Sequence, residues 1–437
     1  MNFTKILSHF KIDSLNEMQT KTIAAIQKNN DLVLISPTGS GKTLAFLLPL
    51  VEILKSEKVG VQVLILVPSR ELAIQIENVF KQMSTAFKIN CCYGGHAIRI
   101  EKNNLQHPPA VLVGTPGRIA YHIRNGNVNV NNTETLILDE FDKSLDAGFE
   151  EEMSFIIQHL KTLKKRILTS ATSLEEIPFF VGMKNKMDLD FTEHHQQTNS
   201  DLQLKTVRAV GVDKLGALIL LIGKLGSQSK IVFCNHRDAV ERISGLLREK
   251  NVEHGIYHGG LDQIDREKVL IKLRNGSIQL LLTTDLASRG LDIPEIEAII
   301  HYQLPTTEDV MIHRNGRTAR MNANGTAYFL LEEKDHLPPF LKVTPEEETL
   351  PEKFIQPKPC AWKTLYIAAG KKDKINKMDI VGMLLQKGGL QKEELGKIEV
   401  LDHSAYAAIK SEKIEKTLGI IRNEKIKNRK IKMEISS

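Results

Sequence analysis

Apolar residues in the first three-quarters of this chain come in short, unbroken runs. Leu32-Val33-Leu34-Ile35, Val63-Leu64-Ile65-Leu66-Val67, Ala110-Val111-Leu112-Val113 and Leu136-Ile137-Leu138 are each too short for a helix. With no polar alternation, they read as strands buried on both faces of a parallel sheet. Turn residues and an amphipathic helical pattern follow each run, which is the βα rhythm of an α/β domain. The rhythm weakens at His194-His195-Gln196-Gln197-Thr198-Asn199-Ser200 and restarts with Lys230–Phe233, Gln279–Leu282, Ala298–Ile300 and Ala327–Leu330. Two α/β domains in series are therefore expected, at residues 1–195 and 203–335. Pro338-Pro339, Glu346-Glu347-Glu348, Pro351, Pro357 and Pro359 mark residues 336–360 as a proline-stiffened linker. A smaller domain is expected over residues 361–437.

The charge is unevenly distributed. From Lys358 onward there are 18 Lys/Arg and 10 Asp/Glu, against 41 and 43 in the rest of the chain. A basic C-terminal piece behind a nearly neutral body points to a nucleic-acid partner. No run approaches the roughly 18 apolar residues of a membrane span, and the opening Met1-Asn2-Phe3-Thr4-Lys5 leads into no apolar signal core. Cys91, Cys92, Cys234 and Cys360 form no CxxC pair, so neither a zinc site nor disulfides are expected. A cytoplasmic protein without a membrane partner is the expectation.

The strand Leu32–Ile35 runs into Ser36-Pro37-Thr38-Gly39-Ser40-Gly41-Lys42-Thr43 and then an apolar helical pattern, Leu44–Leu54. Glycines at this place let backbone N–H groups surround phosphate oxygens at a helix N-terminus. Lys42 supplies a point charge for the β and γ phosphates, and Thr43 a hydroxyl for Mg²⁺. The first position is Ser36 rather than Gly, one residue off the strict GxxxxGK[ST] pattern. Asp139-Glu140-Phe141-Asp142 follows the strand Leu136–Leu138, where a carboxylate faces the ligand crevice of an open sheet. Asp139 is the expected Mg²⁺ ligand, and Glu140 the base that takes a proton from the attacking water. In the second domain, His313-Arg314-Asn315-Gly316-Arg317-Thr318-Ala319-Arg320 places Arg317 and Arg320 three apart on one helical face. They suit the neutralisation of γ-phosphate charge.

Together these segments resemble the DEAD-box RNA helicases of superfamily two, over about residues 10–330. Further segments match in order: Pro68-Ser69-Arg70-Glu71-Leu72, Gly94-Gly95, Thr115-Pro116-Gly117-Arg118, Ser170-Ala171-Thr172, Ile231–Asn235, Gln263 with Arg266, and Thr284–Asp292. The resemblance implies an α/β fold: two tandem RecA-like parallel-sheet P-loop domains plus a small α+β RRM-like domain. It implies ATP and Mg²⁺ as cofactors, with Gln19 reading adenine and Asp292 contacting the ribose. Arg70, Gly95, Thr115 and Arg118 would grip RNA from the first domain, and Arg266 and Thr284 from the second. Asp142, Ser170, Thr172 and His313 would couple the RNA and ATP sites. Phe141 replaces the alanine of D-E-A-D, while Leu15 and Asn16 replace the usual Pro and Thr near Gln19. The expected activity is ATP-dependent unwinding of short RNA duplexes through domain closure, by a monomer with no DNA partner. An ATP-gated RNA clamp with little unwinding is the alternative.

The C-terminal piece reads βαββαβ: strand Thr364–Ala368, helix Lys374–Leu385, strands Lys397–Leu401 and Ala405–Ile409, helix Ile414–Ile421, strand Lys430–Ile435. That order is RRM-like. Leu365 to Ile375 resembles the RNA-binding domain of DbpA-type helicases, which act on large-subunit ribosomal RNA during ribosome assembly. Only Tyr366 and Tyr406 lie near the strands that would stack bases. RNA contact is therefore assigned to Lys371, Lys372, Lys374 and Lys377 in the loop and helix start.

Overall fold

The computed structural model describes residues 3–37, 39–95, 98–173, 176–192, 202–288, 291, 293–294, 296–318, 325–427 and 429–436. The chain divides near residue 200 into two compact units. In the first, β1 (Asp31–Ile35), β2 (Val63–Leu66), β3 (Ile89–Cys92), β4 (Val111–Gly114), β5 (Thr135–Leu138), β6 (Lys165–Ser170) and β7 (Lys186–Asp190) form one sheet. Every pairing is parallel, in the order β3-β4-β2-β5-β6-β1-β7. Successive residues of a strand enter opposite cores. Leu32, Val63, Ile65, Val111, Val113, Ile137 and Ile167 pack on one face. Val33, Leu64, Leu66, Leu112, Leu136, Leu138 and Leu168 pack on the other. Apolar runs without alternation follow from this double burial. The helical pattern after the phosphate loop is two helices, Lys42–Leu47 and Leu50–Ile53. Pro49 separates them, because it has no N–H for a continuous helix.

The second unit repeats the plan. Its strands are β8 (Leu202–Arg208), β9 (Lys230–Phe233), β10 (Gly255–Tyr257), β11 (Leu280–Thr283), β12 (Ala298–His301), β13 (Gly325–Leu331) and β14 (Glu346–Glu347). They run parallel in the order β10-β11-β9-β12-β13-β8-β14, the first sheet's order displaced by seven. Strand β14 lies within the stretch expected to be a linker. From Glu346 to Cys360 that stretch is held on the second sheet domain. Glu348 pairs with Lys205 at 2.7 Å and with Lys224. Leu350 and Phe354 pack on the apolar core, and Gln356 donates to the Asn251 carbonyl at 3.1 Å.

A third, antiparallel sheet completes the second unit. Strands β15 (Trp362–Ile367), β16 (Leu395–Val400), β17 (Ala405–Lys410) and β20 (Met433–Ile435) take the order β16-β17-β15-β20. The short hairpin β18 (Lys425–Ile426) and β19 (Arg429–Lys430) stands apart from it. Leu365, Ile367, Ala405, Ala407 and Ile409 pack against Ile380, Leu384, Ile414 and Ile421 of the helices. Trp362, Thr364, Tyr366 and Tyr406 alternate onto the opposite face. The helix Gln263–Arg274 and the turn after it lie against that face. Arg274 donates two bonds to Glu399, at 2.8 and 2.7 Å. The hydroxyls of Ser277 and Thr364 are bonded at 2.6 Å. The Trp362 ring sits 3.6 Å from where a Cβ on Gly276 would be.

A paired, fork-to-fork guanidinium–carboxylate bond at a largely buried seam is among the stronger polar contacts. Trp362 is the chain's single tryptophan, so its fluorescence reports on this seam. Arg274→Glu should shift Trp362 emission to longer wavelength, and adding Glu399→Arg should return it. Unchanged emission in Arg274→Glu would show that the ion pair does not hold the face.

Candidate functional site

Strand β1 ends at Ile35, and the chain turns through the phosphate loop with Gly39 and Gly41 at φ 85° and 92°. Side-chain chemistry holds the loop from two sides. The Ser36 hydroxyl donates to the Ser40 hydroxyl at 2.9 Å. Asn16 caps the helix Glu17–Lys28 in a reciprocal box with Gln19, and its Nδ2 donates to the Ser40 carbonyl at 3.1 Å. Gln19 Nε2 lies 3.4 Å from the Gly41 carbonyl. The Gln19 amide expected to read adenine is thus also a strut beneath the loop. The left-handed φ favours glycine at Gly41, and a Cβ there would lie 2.4 Å from Gln19 Nε2 and displace that amide.

The Lys42 ammonium is buried inside the loop. It donates to the Ser36 carbonyl and reaches those of Pro37 and Ser170 at 3.4 and 3.3 Å. Burial lowers its pKa, against the opposing pull of Asp139, Glu140 and Asp142. A triphosphate entering here would exchange neutral carbonyls for anionic oxygens around a cation already in place. Asp139 follows β5, is 3% exposed, and has its pKa raised by burial, opposed by the Thr169 hydroxyl and Lys42. Asp139 and Thr43 are hard oxygen donors beside a phosphate loop, a donor set that fits Mg²⁺. Glu140 adopts φ 49°, left-handed for a non-glycine residue, at the turn into the helix Phe141–Asp146. Phe141, in the alanine's place, is fully buried in the core with Leu138 and Leu168.

The residues expected to couple within this domain are in contact. Thr172 Oγ1 lies 3.4 Å from Asp142 Oδ2. The Ser170 hydroxyl donates to the Thr172 carbonyl at 2.6 Å and accepts the Thr172 N–H at 3.2 Å. Ser170 also places its carbonyl on Lys42. The expected RNA contacts form a second group. Arg70 opens the helix Arg70–Gln82, capped by Ser69, and its guanidinium covers Gly95, at φ 96°. Thr115 precedes the helix Pro116–Arg124, which carries Arg118.

Glu101, which the sequence reading missed, organises this second group. It accepts from Tyr93 N at 2.9 Å and His122 Nε2 at 2.8 Å, and lies 3.4 Å from Arg118 Nε. Asn127 donates to the other nitrogen of His122 at 3.2 Å. Cys92, Glu101 and His122 are the group with metal-ligand spacing among the described residues. Both imidazole nitrogens are engaged, Arg118 brings positive charge, and burial pushes the Cys92 thiol pKa well up. The arrangement is that of a hydrogen-bonded strut rather than a cation site.

In the second unit, Arg317 is buried and donates from Nε and Nη2 to the Ser288 carbonyl at 3.1 and 2.6 Å. Arg314 carries the local structure. It binds Asp285, Asn235 and the Gln303 carbonyl at 2.6 to 3.2 Å. His313 donates to the Asp309 carbonyl at 2.8 Å. Arg266 is buried on the helix Gln263–Arg274, and Thr284 follows β11 half-buried. Thr38, Asp292 and Arg320 lie outside the described residues. In the third domain, Lys371, Lys372, Lys374 and Lys377 are all exposed, with Lys372 3.2 Å from Asp402. Tyr366 and Tyr406 are cross-strand partners with ring centroids 5.4 Å apart, but Tyr406 is only 3% exposed. The sheet face against the second domain is therefore largely closed to base stacking, and the lysines remain open.

Residues 16–177 match the DEAD/DEAH box helicase family, 212–322 the helicase conserved C-terminal domain and 364–435 the DbpA RNA binding domain. The chain is 29% identical to the ATP-dependent RNA helicase DbpA of Escherichia coli (strain K12), over 98% of each. It is 28% identical to the protein of that name in Bacillus subtilis (strain 168), over 95% of this chain and 94% of the relative. The solved structure of S. cerevisiae Dbp5 bound to RNA and ADP BeF3 superposes with a TM-score of 0.66 at 27% identity. It covers 76% of this chain and 87% of that one.

The Gln19–Gly41 contact yields a direct test. Gly41→Ala should weaken binding of a fluorescent ATP analogue about tenfold or more, from a strained φ and displaced Gln19 together. Wild-type affinity in this variant would remove the Gln19–Gly41 contact from the nucleotide pocket.

Proposed function

Because the chain belongs to the DEAD-box helicases, with a DbpA-type RNA-binding domain behind the helicase core, we propose that ATP hydrolysis here drives local opening of short RNA duplexes. The observation that carries this is the seam Lys42–Ser170–Thr172–Asp142. The residue that receives the nucleotide loop's ammonium on its carbonyl also bonds Thr172, whose own hydroxyl meets Asp142 of the acidic segment. The phosphate loop and the acidic motif are thereby tied to one hydrogen-bonded unit. RNA is the partner that the three successive domains suit.

In this reading Lys42 and the loop amides bind the phosphates, and Glu140 accepts a proton from the attacking water. Thr43 and Asp139 would hold Mg²⁺, which would supply neutralisation of phosphate charge. Gln19 and Asp292 contact adenine and ribose; Ser36, Thr38, Gly39, Ser40 and Gly41 line the phosphates. Arg317 and Arg320 come from the second domain, so neither domain completes the site alone. ATP and RNA together favour the closed pair, a gating step of a familiar kind. Arg70, Gly95, Thr115 and Arg118, with Arg266 and Thr284, hold the RNA backbone. Such contacts carry no sequence information, so target choice falls to Lys371, Lys372, Lys374 and Lys377. The substrate we infer is structured large-subunit ribosomal RNA during ribosome assembly, and the acting species a monomer.

Glu140→Gln tests the chemistry. RNA-stimulated hydrolysis should fall by about 10²- to 10⁴-fold, while ATP-dependent RNA binding persists. Undiminished hydrolysis would remove Glu140 as the base. Strand displacement by the intact chain on a short duplex, with and without a linked hairpin, separates unwinding from an ATP-gated clamp. Crosslinking of the intact chain to RNA in cells should enrich ribosomal RNA. Recovery of diverse messenger RNA without that enrichment would contradict the ribosomal assignment.

A further inference from the structure

Strand β6 ends Leu168-Thr169-Ser170, and Thr169 is completely buried beside Leu34 of β1. Its side chain does two things. The hydroxyl proton is donated to Asp139 Oδ1. The same oxygen accepts the Glu140 backbone N–H at 3.3 Å. One hydroxyl thus sets the orientation of the carboxylate assigned to Mg²⁺ and the peptide that launches the proposed base.

Two further facts give this weight. Glu140 sits at φ 49° and ψ 52°, a backbone state that persists in a non-glycine residue only when its surroundings over-determine it. Asp139 is buried, so a donor lost from its carboxylate is not replaced by bulk water. The adjacent Lys42 ammonium is already engaged by three carbonyls.

We propose that Thr169 is a positioning residue for ATP hydrolysis, holding Asp139 for the metal and Glu140 for the water through one bridging hydroxyl. The inference rests on the assignment of Asp139 and Glu140 given above. It makes the residue before Ser170-Ala171-Thr172 part of the hydrolytic apparatus, acting through its neighbours and touching no substrate.

Thr169→Val keeps the branched shape and deletes the hydroxyl; Thr169→Ser keeps the hydroxyl and deletes a methyl. In the intact chain, Thr169→Val should lower RNA-stimulated kcat about tenfold or more, with KM for ATP within about twofold. The MgCl2 concentration that gives half-maximal binding of a fluorescent ADP analogue should rise about threefold or more, a readout independent of turnover. Thr169→Ser should restore both. If Thr169→Val does not fold, Thr169→Ala takes its place against the same serine variant. Wild-type kcat and Mg²⁺ dependence without the hydroxyl would overturn the proposal. So would a serine variant as impaired as the valine one, which would mark a packing role. A silent Thr169→Val alongside an inactive Glu140→Gln removes this inference alone. An active Glu140→Gln removes the assignment beneath it.

Discussion

A buried ammonium is the element around which the first domain is arranged. Removing Lys42 from water is unfavourable unless oxygens replace the solvent. Here they come from three directions: the loop itself at Ser36 and Pro37, the end of β6 at Ser170, and the field of the acidic segment after β5. Parallel strands β1, β5 and β6 are neighbours, so their C-terminal ends deliver all three to one edge of the sheet. The glycines, the Gln19 strut and the left-handed Glu140 are the local terms on which that convergence depends.

The second sheet domain uses the same strand order for a different purpose. One of its buried cations, Arg314, is paired with the Asp285 carboxylate, donates to the Asn235 amide oxygen and braces the turn that leads to Arg317. Conserving a topology while changing the polar cluster at its edge is what places complementary chemistry on two similar scaffolds. The third domain is fastened to the second by the stretch through Cys360 and by Arg274–Glu399. Its docked face contains Tyr406, and its four candidate lysines stay exposed.

Much of this was legible because parallel strands buried on both faces leave unbroken apolar runs. β1, β2, β4 and β5 stand out for that reason. β3 contains Asn90, β6 opens on Lys165-Arg166, and β7 alternates Lys186, Asp188 and Asp190 at a sheet edge, so none gives the signal. The prolines and glutamates of residues 336–360 suggested a proline-stiffened linker. Glu348, facing Lys205 and Lys224, instead works as an anchor, and sequence spacing cannot reveal ion pairs across more than 120 residues. Glu101 and Thr169 were invisible for a similar cause. Each acts through partners brought near by the sheet, and adjacency to Ser170 was the one clue for Thr169. The phosphate loop and acidic segment were legible because their chemistry is local in sequence.

We propose that the nucleotide and RNA jointly bring the two half-sites together. The most direct measurement is energy transfer between one fluorophore on each sheet domain of the intact chain. A high-transfer state is expected with a non-hydrolysable ATP analogue and RNA present together, and little change with either alone. The same transfer in all four conditions, or a full shift with ATP analogue alone, would contradict it.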